Sequence, residues 1–235
     1  MNYLFGYADP PADKPDEPTY ATAADVDFEA FGKENIQVLL GRHTGDDNVT
    51  TWELVDDTDG VFVWSGAVVD CAWSPFRASR AISSDKYTVE KVLLDPTRLL
   101  ELDDMMEGVV TLKTIGDADH LAFRHISSKG VFPVAGREFV VVTHSTTLED
   151  GRVVIATRSI PVDDVEPLEG YVRGNNLVSG YIIEEHKDED GKVYCDVTLI
   201  AHADLAGYIP ATVVNMLGTS ATVKILENLE SMVSQ

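Results

Sequence analysis

The sequence predicts an α+β protein in which a curved antiparallel sheet surrounds a long C-terminal helix. Three observations support this fold class. Runs rich in β-branched and aromatic residues dominate the second half of the chain. Short turns such as Asp150-Gly151 and Asp190-Gly191 join several of these runs, and strands joined by short turns must be antiparallel. Over residues 207–233, apolar residues then recur at helical spacing on two adjacent stripes, which predicts a helix covered on two sides.

The first part of the chain is predicted to mix helices with strands. Apolar spacing predicts a helix over residues 25–40, with Asp25 as its N-cap and Gly41 at its end. Residues 51–55 and 61–64 then read as a hairpin that turns at Asp59-Gly60. A further strand is expected over residues 76–82.

The period changes again over residues 85–101, where two short helices are predicted. Asp85 can cap the first helix, and Pro96 suits the first position of the second. The chain beyond them is strand-like in character. The predicted strands cover residues 109–115, 120–127, 137–148, 152–160, 171–173, 180–185 and 192–202. A curved sheet around a helix encloses a space that becomes either packed core or a ligand cavity.

Composition places limits on the environment and the partners. Residues 8–18 contain four prolines and no large apolar residue, so residues 1–24 are expected to form a flexible acidic leader before a domain at 25–235. The net charge of −22 disfavours nucleic acid and, away from a local patch, anionic membranes. The chain lacks a long apolar run and a signal-peptide pattern, and its two cysteines suit a reducing compartment. We therefore expect a cytoplasmic monomer.

No catalytic motif stands out in the sequence. Serine-hydrolase elbows, phosphate-binding loops and His-Glu-x-x-His motifs are all missing, and the six histidines have no metal-ligand spacing. We therefore expect neither a metal nor a cofactor. An enzyme would need paired acid–base groups, for which Arg124, His125, His144 and Tyr181 are the candidates. An enzyme acting on a hydrophobic small molecule stays the alternative function.

A series of seven motifs in the strand-rich half closely resembles the START domain, the lipid transfer domain related to steroidogenic acute regulatory protein. The motifs are Arg137-Glu138-Phe139, Ser159-Ile160, Pro167, Gly170-Tyr171-Val172-Arg173-Gly174, Gly180-Tyr181-Ile182, Asp204-Leu205-Ala206-Gly207-Tyr208-Ile209-Pro210 and Val213-Val214-Asn215. The resemblance covers about residues 25–233. It implies a helix-grip fold of nine antiparallel strands, with one lipid held inside and carried or sensed without catalysis. The implied ligands are phospholipids, fatty acyl lipids or sterols.

Two departures from the family pattern bear on the ligand. Sterol-binding members typically have an acid on the strand before the Arg137 motif, where this chain has Arg124 or its neighbour His125. They also have a base six positions after that arginine, where this chain has Thr143. On a pleated strand Arg124 and His125 face opposite sides. An inward Arg124 would suit a lipid phosphate or carboxylate; the alternatives are a solvent-facing side chain or a protein partner such as Glu107.

The resemblance also implies a gate over the cavity. In the family, the loop at residues 128–136 lies over the cavity mouth against the last helix. Here Val131, Phe132 and Val134 are apolar residues in a loop bounded by Gly and Pro. They are expected to pack on the last helix, to touch a membrane transiently during lipid exchange, or to do both. The expected helix positions are Val213, Leu217 and Ala221.

Overall fold

The computed structural model describes most of the chain. The described residues are 22–47, 50–116, 120–207, 209 and 211–234, and for residues 211–217 only the backbone is described. The predicted leader at 1–24 therefore lies outside the described residues except for its last three. Those residues begin a single 3-10 turn, Ala23–Asp25, whose Ala23 N–H donates to Asp164 Oδ1 over 3.0 Å.

The helices and strands follow one another along the chain in the predicted order. The α-helices of the described residues are α1 (Phe28–Thr44), α2 (Lys86–Leu94), α3 (Pro96–Leu102) and α4 (Ala211–Val233). The strands are β1 (Thr50–Thr58), β2 (Val61–Val68), β3 (Phe76–Ile82), β4 (Met106–Thr114), β5 (Leu121–Ser128), β6 (Gly136–Thr147), β7 (Val153–Ser159), β8 (Tyr171–Arg173), β9 (Asn175–Lys187) and β10 (Val193–Asp204).

One sheet contains all ten strands, nine of which follow the order β1-β2-β3-β10-β9-β7-β6-β5-β4, while β8 lies off this path. Every pairing along this path is antiparallel, so the predicted fold class is confirmed. The sheet differs from the implied nine strands in one detail. Three-residue β8 adds a tenth strand, which pairs in parallel with the start of β6.

Helix termini follow the capping residues with one correction. The side chain of Asp27, not Asp25, caps α1 by accepting the N–H of Ala30, because Asp25 accepts the Thr22 hydroxyl within the preceding turn. Helix α1 also runs past Gly41 and ends at Gly45, whose φ of 77° is the left-handed conformation that favours glycine. The predicted cap at Asp85 and the Pro96 start are confirmed.

The two faces of the sheet are covered by different helices. On the concave side, Leu226 and Leu229 of α4 pack with α2, α3 and inward residues of the sheet in one apolar cluster. On the convex side, Ile36 and Leu39 of α1 pack against outward residues of β7, β9 and β10. Helix α4 approaches β3 closely at Gly218, where a Cβ would clash with the Phe76 ring. The concave face of the sheet thus packs on α4, and its convex face packs on α1.

Candidate functional site

A cavity of about 270 Å³ lies between the concave face of the sheet and helices α2, α3 and α4. Most of its wall is apolar, formed by Leu93, Leu99, Met106, Ile126, Phe139, Val141, Ile155, Leu199, Ala201, Ala203 and Ile225. The polar side chains in the wall are Asp103, Arg124, Ser128, Thr143, Thr157, Asn176, Ser179 and Tyr181. A mostly apolar wall with a few polar groups is the usual composition of a small-molecule site.

Strand alternation places Arg124 in this wall. Arg124, Ile126 and Ser128 of β5 line the cavity, whereas Phe123 faces α1 and packs with Phe28, the two rings being 5.3 Å apart. Of the alternatives that the sequence left open, the structure has the inward orientation of Arg124. With 2% of its surface exposed, Arg124 is not a solvent-facing residue.

The Arg124 guanidinium is held at the end of α2. Its Nη2 donates to the backbone carbonyl of Leu94 over 2.7 Å. Glu107, the protein carboxylate considered as a partner, instead accepts the hydroxyl of Tyr171 over 2.6 Å. The guanidinium is a fork of five N–H donors, and it lies at the wall of a mostly apolar cavity. Such a group can recognise a planar anion within that space.

Thr143 also lines the cavity, where its Oγ1 lies 3.0 Å from Oγ1 of Thr157 on β7. Asp103, which sequence reasoning missed, lies at the C-terminal end of α3 and accepts the N–H of Met105. Burial raises the pKa of Asp103, and burial together with the Asp103 charge raises the pKa of Tyr181. Tyr181 is therefore a neutral phenol at physiological pH. Nothing distinguishes Asp103 from its neighbour Asp104 in the sequence.

The structure does not bring the predicted histidines to the cavity. His125 faces the convex side, where its Nε2 lies 2.6 Å from Oε2 of Glu138. His144 also lies on that side, beside Gly32 of α1. The four residues considered as acid–base candidates are thus divided between two faces, with Arg124 and Tyr181 alone at the cavity.

A hydrogen-bond network surrounds the carboxylate of Glu138 on the convex side. Its carboxylate is fully buried and accepts hydrogen bonds from the N–H of Leu168 (2.8 Å) and from Arg173 Nε (2.7 Å), in addition to its contact with His125. Burial acts to raise the pKa of Glu138, but these hydrogen bonds outweigh it and leave that pKa below its usual value. The network holds the chain before β8 against the sheet.

The predicted gate loop is exposed at its tip. Val131 pairs with Val134 in a short bridge, and the side chains of Val131 and Phe132 are 46% and 97% exposed. At the base of the loop, the N–H of Lys129 donates to the Met105 carbonyl and its Nζ donates to the Asp104 carbonyl, both over 2.8 Å.

The last helix meets the same corner of the chain. Lys224 of α4 forms an ion pair with the Asp104 carboxylate. The side chains of Val213 and Leu217, predicted to face the loop, lie outside the described residues. Ala221 is half-buried and precedes by one helical turn Ile225, which lines the cavity. The corner at residues 103–105 therefore touches both the loop and α4.

Comparison with known proteins identifies this arrangement. The START domain family model matches residues 46–234. The chain belongs to the START domain family. Lipid binding and transfer are known of this family, whose members are generally non-enzymatic. Among the described residues of this START domain, no helix combines the length and the apolar composition needed to cross a membrane.

Individual relatives are distant in sequence and similar in fold. Human StAR-related lipid transfer protein 6 is 18% identical over 214 residues, which are 86% of this chain and 90% of that protein. The structure of human StAR-related lipid transfer protein 5 matches with a TM-score of 0.71 at 20% identity, covering 88% of this chain and 98% of that one. A STAR-related lipid transfer protein from Xanthomonas axonopodis matches with a TM-score of 0.65 at 23% identity, covering 78% and 99%.

Proposed function

We propose that this START domain binds one lipid molecule in its cavity and carries it between membranes without chemical change. The observation that carries the proposal is the buried guanidinium of Arg124 in an otherwise mostly apolar wall. The apolar surface suits a hydrocarbon chain, and burial of that chain provides the driving force for binding. The guanidinium suits a negatively charged headgroup.

The ligand we propose has a phosphate or carboxylate headgroup. A guanidinium in a mostly apolar wall is poorly screened by water, so it attracts an anion more strongly than an exposed guanidinium does. A phosphate or carboxylate oxygen can accept from the Arg124 fork while the Leu94 carbonyl holds the same guanidinium in place. Sterol-binding relatives place an acid where this strand has Arg124 and His125, so a neutral sterol fits the site less well.

The size of the cavity favours a compact lipid. Pockets that take drug-sized ligands have volumes of roughly 300–1,000 Å³. The 270 Å³ available here lies just below that range. A single-chain lipid therefore fits with less expansion of the domain than a two-chain phospholipid would require.

We further propose that the loop at residues 128–136 and the first half of α4, with Val213, Leu217 and Ala221, form the gate. Moving a loop and a helix end disrupts fewer backbone hydrogen bonds than opening the sheet. The exposed Phe132 is suited to transient membrane contact. Because the chain carries a net charge of −22, apolar insertion rather than attraction to anionic lipid must provide that contact.

The first experiment identifies the ligand. Lipids extracted from the purified protein are analysed by mass spectrometry, and transfer of the lipid class found is then measured between zwitterionic vesicles. We expect one class that carries a phosphate or carboxylate group and transfer that needs no cofactor. A folded protein that binds nothing from a broad lipid panel would contradict the proposal. A cavity that holds no lipid and stays filled with water would favour the alternative function, an enzyme acting on a hydrophobic small molecule.

The second experiment tests the gate. Cysteines at Val131 and Leu217, introduced into a Cys71→Ser background, are expected to slow lipid exchange when oxidised and to restore it when reduced, if their geometry permits a disulfide. Phe132→Ser is expected to slow transfer several-fold without lowering the unfolding temperature. Leu54→Ser is the matched control, because Leu54 is also an exposed apolar residue but lies on edge strand β1. Equal exchange rates in both redox states would place the gate elsewhere.

A further inference from the structure

A second concave region adjoins α2 outside the lipid cavity. It is a groove of about 510 Å³ between α2, the start of α3 and the residue that precedes β5. We call it the α2 groove. Its wall is formed by Tyr87, Glu90, Lys91, Leu94, Asp95, Pro96 and His120. Among the described residues, the walls of the α2 groove and of the lipid cavity have no member in common, so the two sites are distinct.

Helical spacing forms one wall of the α2 groove. The four α2 residues in this wall are at positions i, i+3, i+4 and i+7, which lie on one face of a helix. The opposite wall is fixed where the N–H of Ser145 on β6 donates to the carbonyl of His120 over 2.7 Å. Regular secondary structure thus positions both walls.

The carboxylate of Glu90 has two oxygens with different surroundings, and its side chain is only 9% exposed. Oε1 accepts the hydroxyl of Ser145 over 2.6 Å and lies 3.3 Å from Nδ1 of His120. Oε2 has no hydrogen-bond or ion-pair partner among the residues that the structure describes. Because Oε2 is also not fully enclosed by protein atoms, a donor in the α2 groove can reach it.

Burial determines which charge of the α2 groove attracts a ligand most strongly. A buried carboxylate such as that of Glu90 is poorly screened by water, so it attracts a cation more strongly than an exposed carboxylate does. Lys91 is exposed, and water and salt therefore screen its charge. Asp95 already accepts the backbone N–H groups of Thr97 and Arg98. The α2 groove is therefore expected to prefer a cation, bound at Glu90.

The shape of the ligand follows from the accessible oxygen and from the ring of Tyr87. A guanidinium binds a carboxylate best through two parallel hydrogen bonds, which need both oxygens. Oε1 of Glu90 is already engaged by Ser145, so a compact ammonium group suits Oε2 better. Tyr87, which is 61% exposed, lines the α2 groove together with Leu94 and provides apolar contact for the rest of the ligand.

We propose that the α2 groove binds a small organic molecule that carries a primary ammonium group. The ammonium donates to Oε2 of Glu90, and the hydrocarbon part of the molecule lies against Tyr87 and Leu94. The volume of about 510 Å³ lies within the range of roughly 300–1,000 Å³ that is usual for small-molecule pockets. The net charge of −22 raises the concentration of such cations near the protein. The assignment does not depend on the lipid-transfer proposal.

The experiment compares three benzyl compounds that differ in charge: benzylamine, benzyl alcohol and benzoate. Each is titrated into the isotope-labelled full chain, and the amide chemical shifts give both the position of the ligand and its dissociation constant. We expect benzylamine to shift the resonances of α2 and to bind about tenfold more tightly than benzyl alcohol, with benzoate the weakest of the three. Binding of benzyl alcohol or benzoate that is as tight as that of benzylamine would overturn the assignment.

Variants separate binding in the α2 groove from general attraction to an acidic protein. Glu90→Gln keeps an oxygen that accepts the Ser145 hydroxyl, and it is expected to weaken benzylamine binding about tenfold. Tyr87→Ala is expected to weaken binding about threefold, whereas Lys91→Gln removes a repelling charge and should strengthen it about twofold. Glu101→Gln is the matched control, because it removes the same charge from an exposed residue of α3 outside the α2 groove.

Three further outcomes would overturn the assignment. The first is equal benzylamine affinity in Glu90→Gln and Glu101→Gln, which would mean that the acidic surface as a whole attracts the amine. The second is unchanged affinity in both Tyr87→Ala and Lys91→Gln, which tests the site even if Glu90→Gln fails to fold. The third is tighter binding of Nα-acetyl-lysine amide than of benzylamine, which would assign the ammonium to the side chain of a partner protein.

Discussion

Two adjacent residues of β5, Arg124 and His125, lie in different environments: the first faces the cavity and the second faces a buried carboxylate. Arg124 points to the concave side and lines the cavity, held by a backbone carbonyl. His125 points to the convex side and contacts Glu138, a fully buried carboxylate that also accepts from Arg173 and from the N–H of Leu168. Strand β5 thus presents the guanidinium of Arg124 to the cavity, and on the opposite face its His125 belongs to the hydrogen-bond network of Glu138.

The difference indicates a division of roles across the sheet. A buried charge whose hydrogen bonds all come from the protein contributes to the stability of the fold, because removing any partner leaves the others unsatisfied. A charge at the wall of a cavity lies where a ligand in that space can contact it. We therefore expect changes around Glu138 to alter the free energy of unfolding, and changes around Arg124 to alter ligand affinity.

The largest effect is expected for Glu138→Gln. The amide loses the negative charge and turns its N–H₂ group either toward Arg173 or toward the N–H of Leu168, both of which can only donate, so the free energy of unfolding should fall by about 2–4 kcal/mol. Urea unfolding measures this loss. Glu107→Gln is the control, because the Glu107 carboxylate accepts the Tyr171 hydroxyl at the surface and should contribute less than about 1 kcal/mol. If Glu138→Gln left the free energy of unfolding unchanged and weakened ligand binding, the roles assigned to the two faces of the sheet would be wrong.

The same variant tests the pH dependence of the network. Because the pKa of Glu138 is lower in the folded protein, its carboxylate stabilises the fold at pH values above the unfolded pKa. That contribution disappears as pH falls through the folded pKa. The stability difference between wild type and Glu138→Gln should therefore stay level down to about pH 4.3, the ordinary value for glutamate, and shrink below it. A difference that shrinks between neutral pH and about pH 6 would instead indicate a histidine.

Local sequence patterns were sufficient for most elements of this fold. The strands at Phe76–Ile82 and Tyr171–Arg173 match their predicted bounds, and Asp85 and Pro96 begin helices as predicted, because caps and turns depend on a few neighbouring residues. The predicted N-cap of α1, Asp25, was wrong. Asp25 and Asp27 have the same side chain, and Asp25 is instead engaged by the hydroxyl of Thr22 in the preceding turn.

The site was less predictable because its wall is not local. Residues of β5, β6, β7, β9 and β10 meet at the cavity, and β10 pairs with β3 across about half of the chain. Strand alternation indicated that Arg124 and His125 face opposite sides of the sheet, but it did not indicate which of them faces the cavity, and both were candidates for lipid binding. The presence of Asp103 in the wall depends on how α3 packs, which no spacing in the sequence indicates.

The next effect in size is expected for Arg124→Ala. Loss of a charge-assisted hydrogen bond should weaken binding of a phosphate- or carboxylate-bearing lipid by about 1.5–3 kcal/mol, and neutral sterols should be little affected. Arg124→Lys separates charge from geometry, because lysine keeps the charge and loses the planar fork. Competition binding with a fluorescent lipid measures both variants. Equal losses for anionic and neutral lipids would mean that Arg124 supports the wall and does not recognise a headgroup.

The smallest effect is expected for Thr143→Val, which removes one hydroxyl of the Thr143–Thr157 pair while keeping the branched shape. Thr157 can still donate to a ligand or water in the cavity, so the free energy of unfolding should change by less than about 1 kcal/mol. If the headgroup lies near Arg124, affinity should also fall by no more than about 1 kcal/mol, because neutral hydrogen bonds are weaker than charge-assisted ones. Urea unfolding and competition binding are measured for Thr143→Val and for Arg124→Ala. The losses of affinity then show which of the two side chains contributes more to binding. A larger loss of affinity in Thr143→Val than in Arg124→Ala would move the headgroup away from β5 and toward β6 and β7.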